Sequence, residues 1–331
     1  MEHRRLGTSG VDVTRITFGA WAIGGWMWGP QDEGDAIAAI RKALELGITT
    51  IDTAAVYGFG RSEEIVAKSL TGVNRRDVQI LTKYGLRWDR PEGTLRWDTV
   101  DNEGRPIQIM RNSRPDSVIE ECERSLKRLR CDYIDLFQCH WPDPTTPIEE
   151  TFGAIRKLME QGKILAAGVS NYSVEEMEAA RRVVPLAACQ PPYSMVNRGI
   201  EADIIPYCRR NNIAAIVYSP LQRGLLTGKI TKGYKFAPGD HRAENSFFKP
   251  SNVRKVNALL EKIRPIAEAH GATLAQVAIS WTLQRPGITA ALVGARNARQ
   301  AEENAAAADI GLSEQETGRI DELLTKVKLD L

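Results

Sequence analysis

Short apolar runs that end in turn residues alternate with segments of helical periodicity eight times along these 331 residues, and few folds accommodate that alternation. Strands are expected near 16–20, 49–54, 78–84, 134–140, 164–170, 187–191, 214–219 and 289–294. Helices are expected at about 32–46, 61–70, 116–129, 148–161, 174–182, 201–211, 273–285 and 297–307. Ser173 with Glu176, and Ser313 with Glu316 before an extra C-terminal helix, carry the cap signature of helix starts. Eight β/α units in a chain of this length favour a closed parallel (β/α)8 TIM barrel over an open sheet, with residues 1–331 forming one domain. Ahead of the first strand, Arg5 to Thr14 with Ser9-Gly10 at its centre reads as an N-terminal β-hairpin that plugs the barrel bottom. Two connections, Leu86 to Pro115 and Leu221 to Ser251, exceed what a barrel requires; both follow strands, on the face where barrels build their sites.

Charge stands at the ends of three of the apolar runs. Val78 to Lys83 ends on a lysine that is costly to bury unpaired. Thr49 to Ala54 carries Asp52 and is followed by Tyr57, and Ile134 to His140 delivers an imidazole. Together Asp52, Tyr57, Lys83 and His140 describe a proton-donating site. A carbonyl that accepts hydride must receive a proton as charge builds on oxygen, and a tyrosine at its usual pKa of about 10 is a poor acid at neutral pH. A neighbouring ammonium, held by a carboxylate, is expected to lower that pKa, so Lys83 and Asp52 would tune Tyr57. His140 would orient the carbonyl and share in stabilising the charge.

Other classes fit the composition poorly. Forty-four basic against 42 acidic residues give a net charge of +2, so bulk charge suggests no nucleic-acid or membrane partner. The five cysteines are odd in number and hold no C-x-x-C pair, which reads as reduced thiols in the cytoplasm. Neither an apolar targeting segment nor a run near the roughly 18 apolar residues of a membrane span is present, so a cytoplasmic location is expected. The four histidines show no metal-ligand spacing, and no metal is expected. Gly58-Phe59-Gly60 follows a strand, yet Glu63 stands where a dinucleotide fingerprint needs its third glycine.

The chain resembles the aldo-keto reductase superfamily over essentially its full length. The resemblance rests on Leu46 to Ala54 with Tyr57-Gly58 and Ser62-Glu63-Glu64, and on Arg124 to Leu129 with Asp132 to Leu136. Gly168-Val169-Ser170-Asn171, Gln190, Tyr218-Ser219-Pro220-Leu221, and Gly294-Ala295-Arg296 with Glu303-Asn304 continue it. Trp21 to Gly25, Gly58-Phe59-Gly60, His140 to Pro144 and Gln190 to Tyr193 look most like the bacterial general-stress subgroup of its eleventh family.

That resemblance implies an NADPH-dependent carbonyl reductase in which Tyr57 is the acid, Lys83 and Asp52 tune it, and His140 positions the substrate. It also implies a cofactor site. Gly19, Ala20 and Trp21 would border the nicotinamide ribose, Ser170, Asn171 and Gln190 would hold the carboxamide, and Tyr218 would stack on the ring. Ser219, Pro220, Leu221, Gln222, Arg223 and Gly224 would wrap the pyrophosphate, with Lys229 and Arg242 as cationic clamps. Gln300, Glu303 and Asn304 would hold adenine and its ribose. Arg296, after Gly294-Ala295, would meet the 2′-phosphate and so favour NADP(H).

Tryptophans just after strand ends, Trp21, Trp88 and Trp141 with Trp26 and Trp28, could wall an apolar pocket for a small aldehyde or ketone, and such walls suit broad specificity. Trp26 and Trp28 could equally pack a core or lid. Two other functions remain open from sequence: a Schiff-base aldolase using Lys83, and an NADPH-binding regulatory subunit with little turnover. The chain is expected to be a monomer or a weak homo-oligomer.

Overall fold

A computed structural model describes residues 1–331. The chain opens with a hairpin of β1 (His3–Arg5) and β2 (Asp12–Thr14), then enters β3 (Ile16–Gly19), α1 (Glu33–Glu45), β4 (Thr50–Asp52), α2 (Arg61–Ser69) and β5 (Gln79–Tyr84). Three strands intervene, β6 (Leu86–Arg87), β7 (Thr94–Val100) and β8 (Pro106–Arg111), before α3 (Pro115–Leu129) and β9 (Ile134–Cys139). The barrel then runs α4 (Ile148–Glu160), β10 (Ile164–Ser170), α5 (Val174–Arg181), β11 (Leu186–Gln190), α6 (Ile204–Arg210) and β12 (Ala214–Tyr218). It ends with α7 (Pro250–Ala269), α8 (Leu274–Gln284), β13 (Ile288–Gly294), α9 (Ala298–Ala305) and α10 (Glu314–Thr325).

Strands β3, β4, β5, β9, β10, β11, β12 and β13 pair in parallel in that order, and β13 closes on β3 with Gly294 opposite Gly19. The (β/α)8 expectation holds. Each barrel strand is buried on both faces, which is why the runs are continuously apolar rather than alternating. Inside the barrel, Leu81, Leu136, Ile216 and Leu292 pack with Leu6, Val11 and Val13 of the hairpin, so β1 and β2 do plug the bottom. The Ser173 and Ser313 caps both form, each with its glutamate bonded back.

Three expectations need correction. The Leu86 to Pro115 connection is no open loop: β6, β8 and β7 form an antiparallel sheet over the barrel mouth, anchored where Trp26 Nε1 donates to Thr99 Oγ1 at 3.2 Å. Helix α7 was not among the helices expected from sequence, and it carries two prolines. Pro250 occupies the first turn, where its missing N–H costs nothing, and Pro265 is tolerated within the helix. The sixth helix begins at Ile204, after a separate 3-10 turn over Gly199–Glu201.

Candidate active site

Register brings the strand-end residues together. Gly19, Asp52, Leu81 and Leu136 are lateral neighbours across four strands, and Lys83 pairs with Gln138 one step nearer the mouth. Gln138 in turn pairs with Gly168, where an added Cβ would lie 3.0 Å from the Gln138 side chain, so a larger residue there would crowd it. Tyr57 lies in the turn after β4. That turn packs so tightly on the Trp21–Gly25 segment that a Cβ at Gly58 would sit 2.2 Å from the Gly24 carbonyl oxygen, and Gly58 holds φ +63°. Behind it, the buried Glu63 accepts from Thr82 Oγ1 at 2.7 Å and pairs with Arg128 at 2.6 Å, tying α2 to β5 and α3.

At the centre, Lys83 Nζ is wholly buried. It donates to Asp52 Oδ1 at 2.5 Å, to the Thr53 carbonyl at 2.9 Å and to Tyr57 Oη at 3.4 Å, which uses all three of its hydrogens. Asp52 Oδ2 accepts from Gln190 Nε2 at 2.7 Å and from Gln138 Nε2 at 3.2 Å. Gln138 was missed in sequence, since one amide inside an apolar strand carries no signal until the register is known. The His140 ring stands edge-on to Tyr57, centroids 5.6 Å apart, and Trp21 stacks on Tyr57 at 6.0 Å. All four predicted strand-end residues therefore meet.

The protonation states differ in part from the expectation. Burial pushes the Tyr57 phenol well above its ordinary pKa and the Asp52 carboxylate adds to the rise, so the tyrosine keeps its proton in the resting pocket. The ammonium does not offset this, because its charge is taken up by Asp52 at 2.5 Å. Burial pulls Lys83 below an ordinary lysine, against Asp52. His140 is held well below its usual pKa by burial, with Lys83 and Arg96 as further causes, and is neutral. The arrangement offers one carbonyl oxygen a protonated phenol and a neutral imidazole.

Around this centre lies a groove over β10 to β13 and β3. Ser170 Oγ donates to the Gln190 carbonyl at 2.7 Å, and Asn171 Nδ2 donates to the His140 carbonyl and to Ser170 Oγ, both at 3.0 Å. Tyr218 Oη donates to Asn171 Oδ1 at 2.9 Å. Past Tyr218, the Ser219-Pro220-Leu221-Gln222-Arg223-Gly224 loop takes positive φ at Ser219, Gln222, Arg223 and Gly224. The amides of Leu221 and Arg223 donate to no backbone carbonyl. Arg223 Nε, Trp21 Nε1, Trp28 Nε1 and His241 Nε2 are buried donors or acceptors with no protein partner. Unsatisfied groups of this kind, gathered on one groove, fit a polar anionic ligand such as a dinucleotide.

Other predicted cofactor residues sit around the rim. Asn304 Nδ2 donates to the Gly294 carbonyl at 3.0 Å, and Gln300 Oε1 accepts from the Arg296 amide at 2.9 Å. Lys229 lies 3.8 Å from Glu303, linking the long loop to α9. Arg242 is paired with the buried Asp240 at 2.6 Å and donates to the Arg223 carbonyl at 3.2 Å, so here it braces the Ser219–Gly224 loop. Arg296 Nε donates to Gln31 Oε1 at 2.6 Å and its Nη2 to the Pro30 carbonyl. Gly19 ends β3 and Ala20 follows it, its carbonyl accepting from Ser62 Oγ at 2.8 Å.

His241 was not anticipated. Its Nδ1 meets the Met27 carbonyl at 2.6 Å while its ring packs on Trp21 at 5.0 Å and Trp28 at 5.1 Å, which fastens the long loop across the groove. Burial lowers its pKa to about 4. The unfolded chain, with a histidine pKa near 6.5, binds that proton first, so stability is full above about pH 6.5 and is lost as pH falls towards 4. Urea titrations of wild type and His241→Gln at pH 7 and pH 4 should differ in their pH dependence by about 3 kcal/mol, the wild type losing more.

Beside the antiparallel sheet, Trp26, Phe59, Trp88, Trp97 and Trp141 form a chain of aromatic contacts at centroid distances of 5.5–6.3 Å. Trp88 and Trp141 are thus linked through one aromatic cluster, which Trp97 joins from β7.

A family model described as the aldo/keto reductase family matches residues 15–325. The chain belongs to the aldo/keto reductase family. Among its relatives, the aldo-keto reductase YhdN of Bacillus subtilis is 42% identical over 304 residues, covering 91% of this chain and 87% of that one. The NADH-specific methylglyoxal reductase of Escherichia coli is 37% identical over 326 residues, covering 96% and 97%. Among solved structures, the glycerol dehydrogenase AKR11B4 from Gluconobacter oxydans superposes with a TM-score of 0.87 at 38% identity, covering 98% of this chain and 95% of that one. These matches agree with the likeness to bacterial members of the eleventh aldo/keto reductase family. No helix of this aldo/keto reductase is long and apolar enough to cross a membrane.

Proposed function

We propose that this aldo/keto reductase reduces small aldehydes or ketones to alcohols with NADPH, with Tyr57 as the general acid. The observation that carries the reading is the buried chain Asp52–Lys83–Tyr57 beside a neutral His140. A bound nicotinamide supplies the hydride to the carbonyl carbon. Tyr57 Oη and an imidazole N–H of His140 donate to the carbonyl oxygen, and Tyr57 releases its proton as that oxygen becomes an alkoxide. Lys83 steadies the phenolate left behind, and Asp52, itself held by Gln138 and Gln190, fixes Lys83. Because all three ammonium hydrogens are engaged and Nζ is wholly buried, Lys83 is badly placed to attack a carbonyl, which counts against the aldolase alternative. Oxidation of NADPH by a panel of small aldehydes tests the reading. Aldehyde-dependent turnover is expected; tight NADPH binding with no turnover on any aldehyde would favour the regulatory-subunit alternative.

The choice of NADPH rests on Arg296. Its guanidinium is oriented on one edge by Gln31 and Pro30 and makes no ion pair with a carboxylate, which suits a 2′-phosphate. The E. coli relative is NADH-specific by name, so the preference requires direct measurement here. Arg296→Ala should weaken NADPH roughly ten- to hundredfold, the size of a charge-assisted fork, and NADH far less. Binding titrations that show equal losses would remove Arg296 from the 2′-phosphate.

A further inference from the structure

The antiparallel sheet over the mouth carries two cations that the reductase reading leaves unused. Arg96 sits at the bulge where the register of β7 shifts between Leu95 and Trp97, and Arg111 ends β8 opposite Thr94. The Arg96 guanidinium sits between two mutually perpendicular indoles, 4.0 Å from the Trp97 centroid and 4.3 Å from that of Trp141. Trp141 directly follows His140, which places this charge beside the proposed reaction centre. Arg96 is close enough to contribute to the depressed pKa of His140, and Arg111 in turn depresses that of Arg96, behind burial in both cases.

Neither arginine makes an ion pair, although Arg87, Arg90 and Arg105 in the same insert are paired with Asp89, Glu120 and Asp101. The Nε atoms of Arg96 and Arg111 and the Thr94 hydroxyl are all buried without a partner. Two like charges held together with unmet donors cost stability unless something anionic meets them. Arg223, which also makes no ion pair, lies instead over Trp21 at 5.6 Å.

We propose that Arg96 and Arg111, with Thr94, form an oxyanion subsite that binds a carboxylate or phosphate on the substrate while its carbonyl meets Tyr57 and His140. The inference rests on the reductase reading and narrows it to aldehydes bearing an anionic group. Both oxyanions suit a planar, donor-rich guanidinium.

Matched pairs test it: succinic semialdehyde against its methyl ester, and glyceraldehyde 3-phosphate against glyceraldehyde, each differing chiefly in charge. In the wild type the charged member of at least one pair should have a kcat/KM at least about tenfold higher, through KM, and the favoured pair tells carboxylate from phosphate. Added salt should erode that preference. Arg96→Gln and Arg111→Gln should each collapse it, the charged substrate losing far more than its neutral partner. Equal turnover within both pairs in the wild type, parallel losses on both members, or weakened NADPH binding in the variants would overturn the subsite. If no aldehyde is turned over, the reductase reading itself fails. Quenching of tryptophan fluorescence by succinate or inorganic phosphate then decides the subsite alone, since a saturable signal abolished by Arg96→Gln supports it and its absence refutes it.

Discussion

Tyr57→Phe is expected to lower kcat for aldehyde reduction by about 10²- to 10⁴-fold, the usual worth of a positioned general acid, while NADPH affinity and fold stay near wild type. The ring keeps its surroundings, since Trp21 and His140 pack on its carbons rather than on its hydroxyl. Lys83 loses only its longest contact, 3.4 Å, and retains Asp52 and the Thr53 carbonyl. A stability change within about 1 kcal/mol is therefore expected. Steady-state kinetics, a fluorescence titration of NADPH and a thermal melt together make the test. Turnover that survives the substitution would mean that His140 or a water supplies the proton, and Tyr57 would lose its assigned role.

The barrel was legible because each strand is buried on both faces and reads as an apolar run, and because a charge at the end of such a run is conspicuous. Asp52, Lys83 and His140 stood out for that reason, with Tyr57 in the turn after the first of them. Gln138 did not, since its meaning depends on pairing with Lys83 across a strand boundary and on the space left by Gly168. Arg96 was hidden in the same way. It looks like an exposed loop cation until β7 pairs with β8 and the bulge turns it onto Trp141. The direction of the Tyr57 pKa was misread because the ammonium was weighed without the burial, and burial is the larger influence. Residues whose role lies in one strand end are visible in sequence, whereas those defined by register or by loop folding emerge only in three dimensions.

The second large effect concerns the ion pair. Lys83→Met should cost about 3–5 kcal/mol in urea unfolding, because Asp52 is left as a buried charge without its cation even though Gln138 and Gln190 still donate to Oδ2. It should also lower kcat by about 10²- to 10³-fold, since the developing phenolate loses its one cationic donor. Stability and chemistry separate in the double variant Asp52→Asn/Lys83→Met. There the buried charge is gone and an amide oxygen can still accept from the two glutamines, so most of the lost stability should return. Activity should not return, because nothing cationic faces Tyr57. Recovery of both would make the pair a packing device with no part in proton transfer, and recovery of neither would mean that the bond from the ammonium to the Thr53 carbonyl, lost in both variants, holds the barrel mouth in shape.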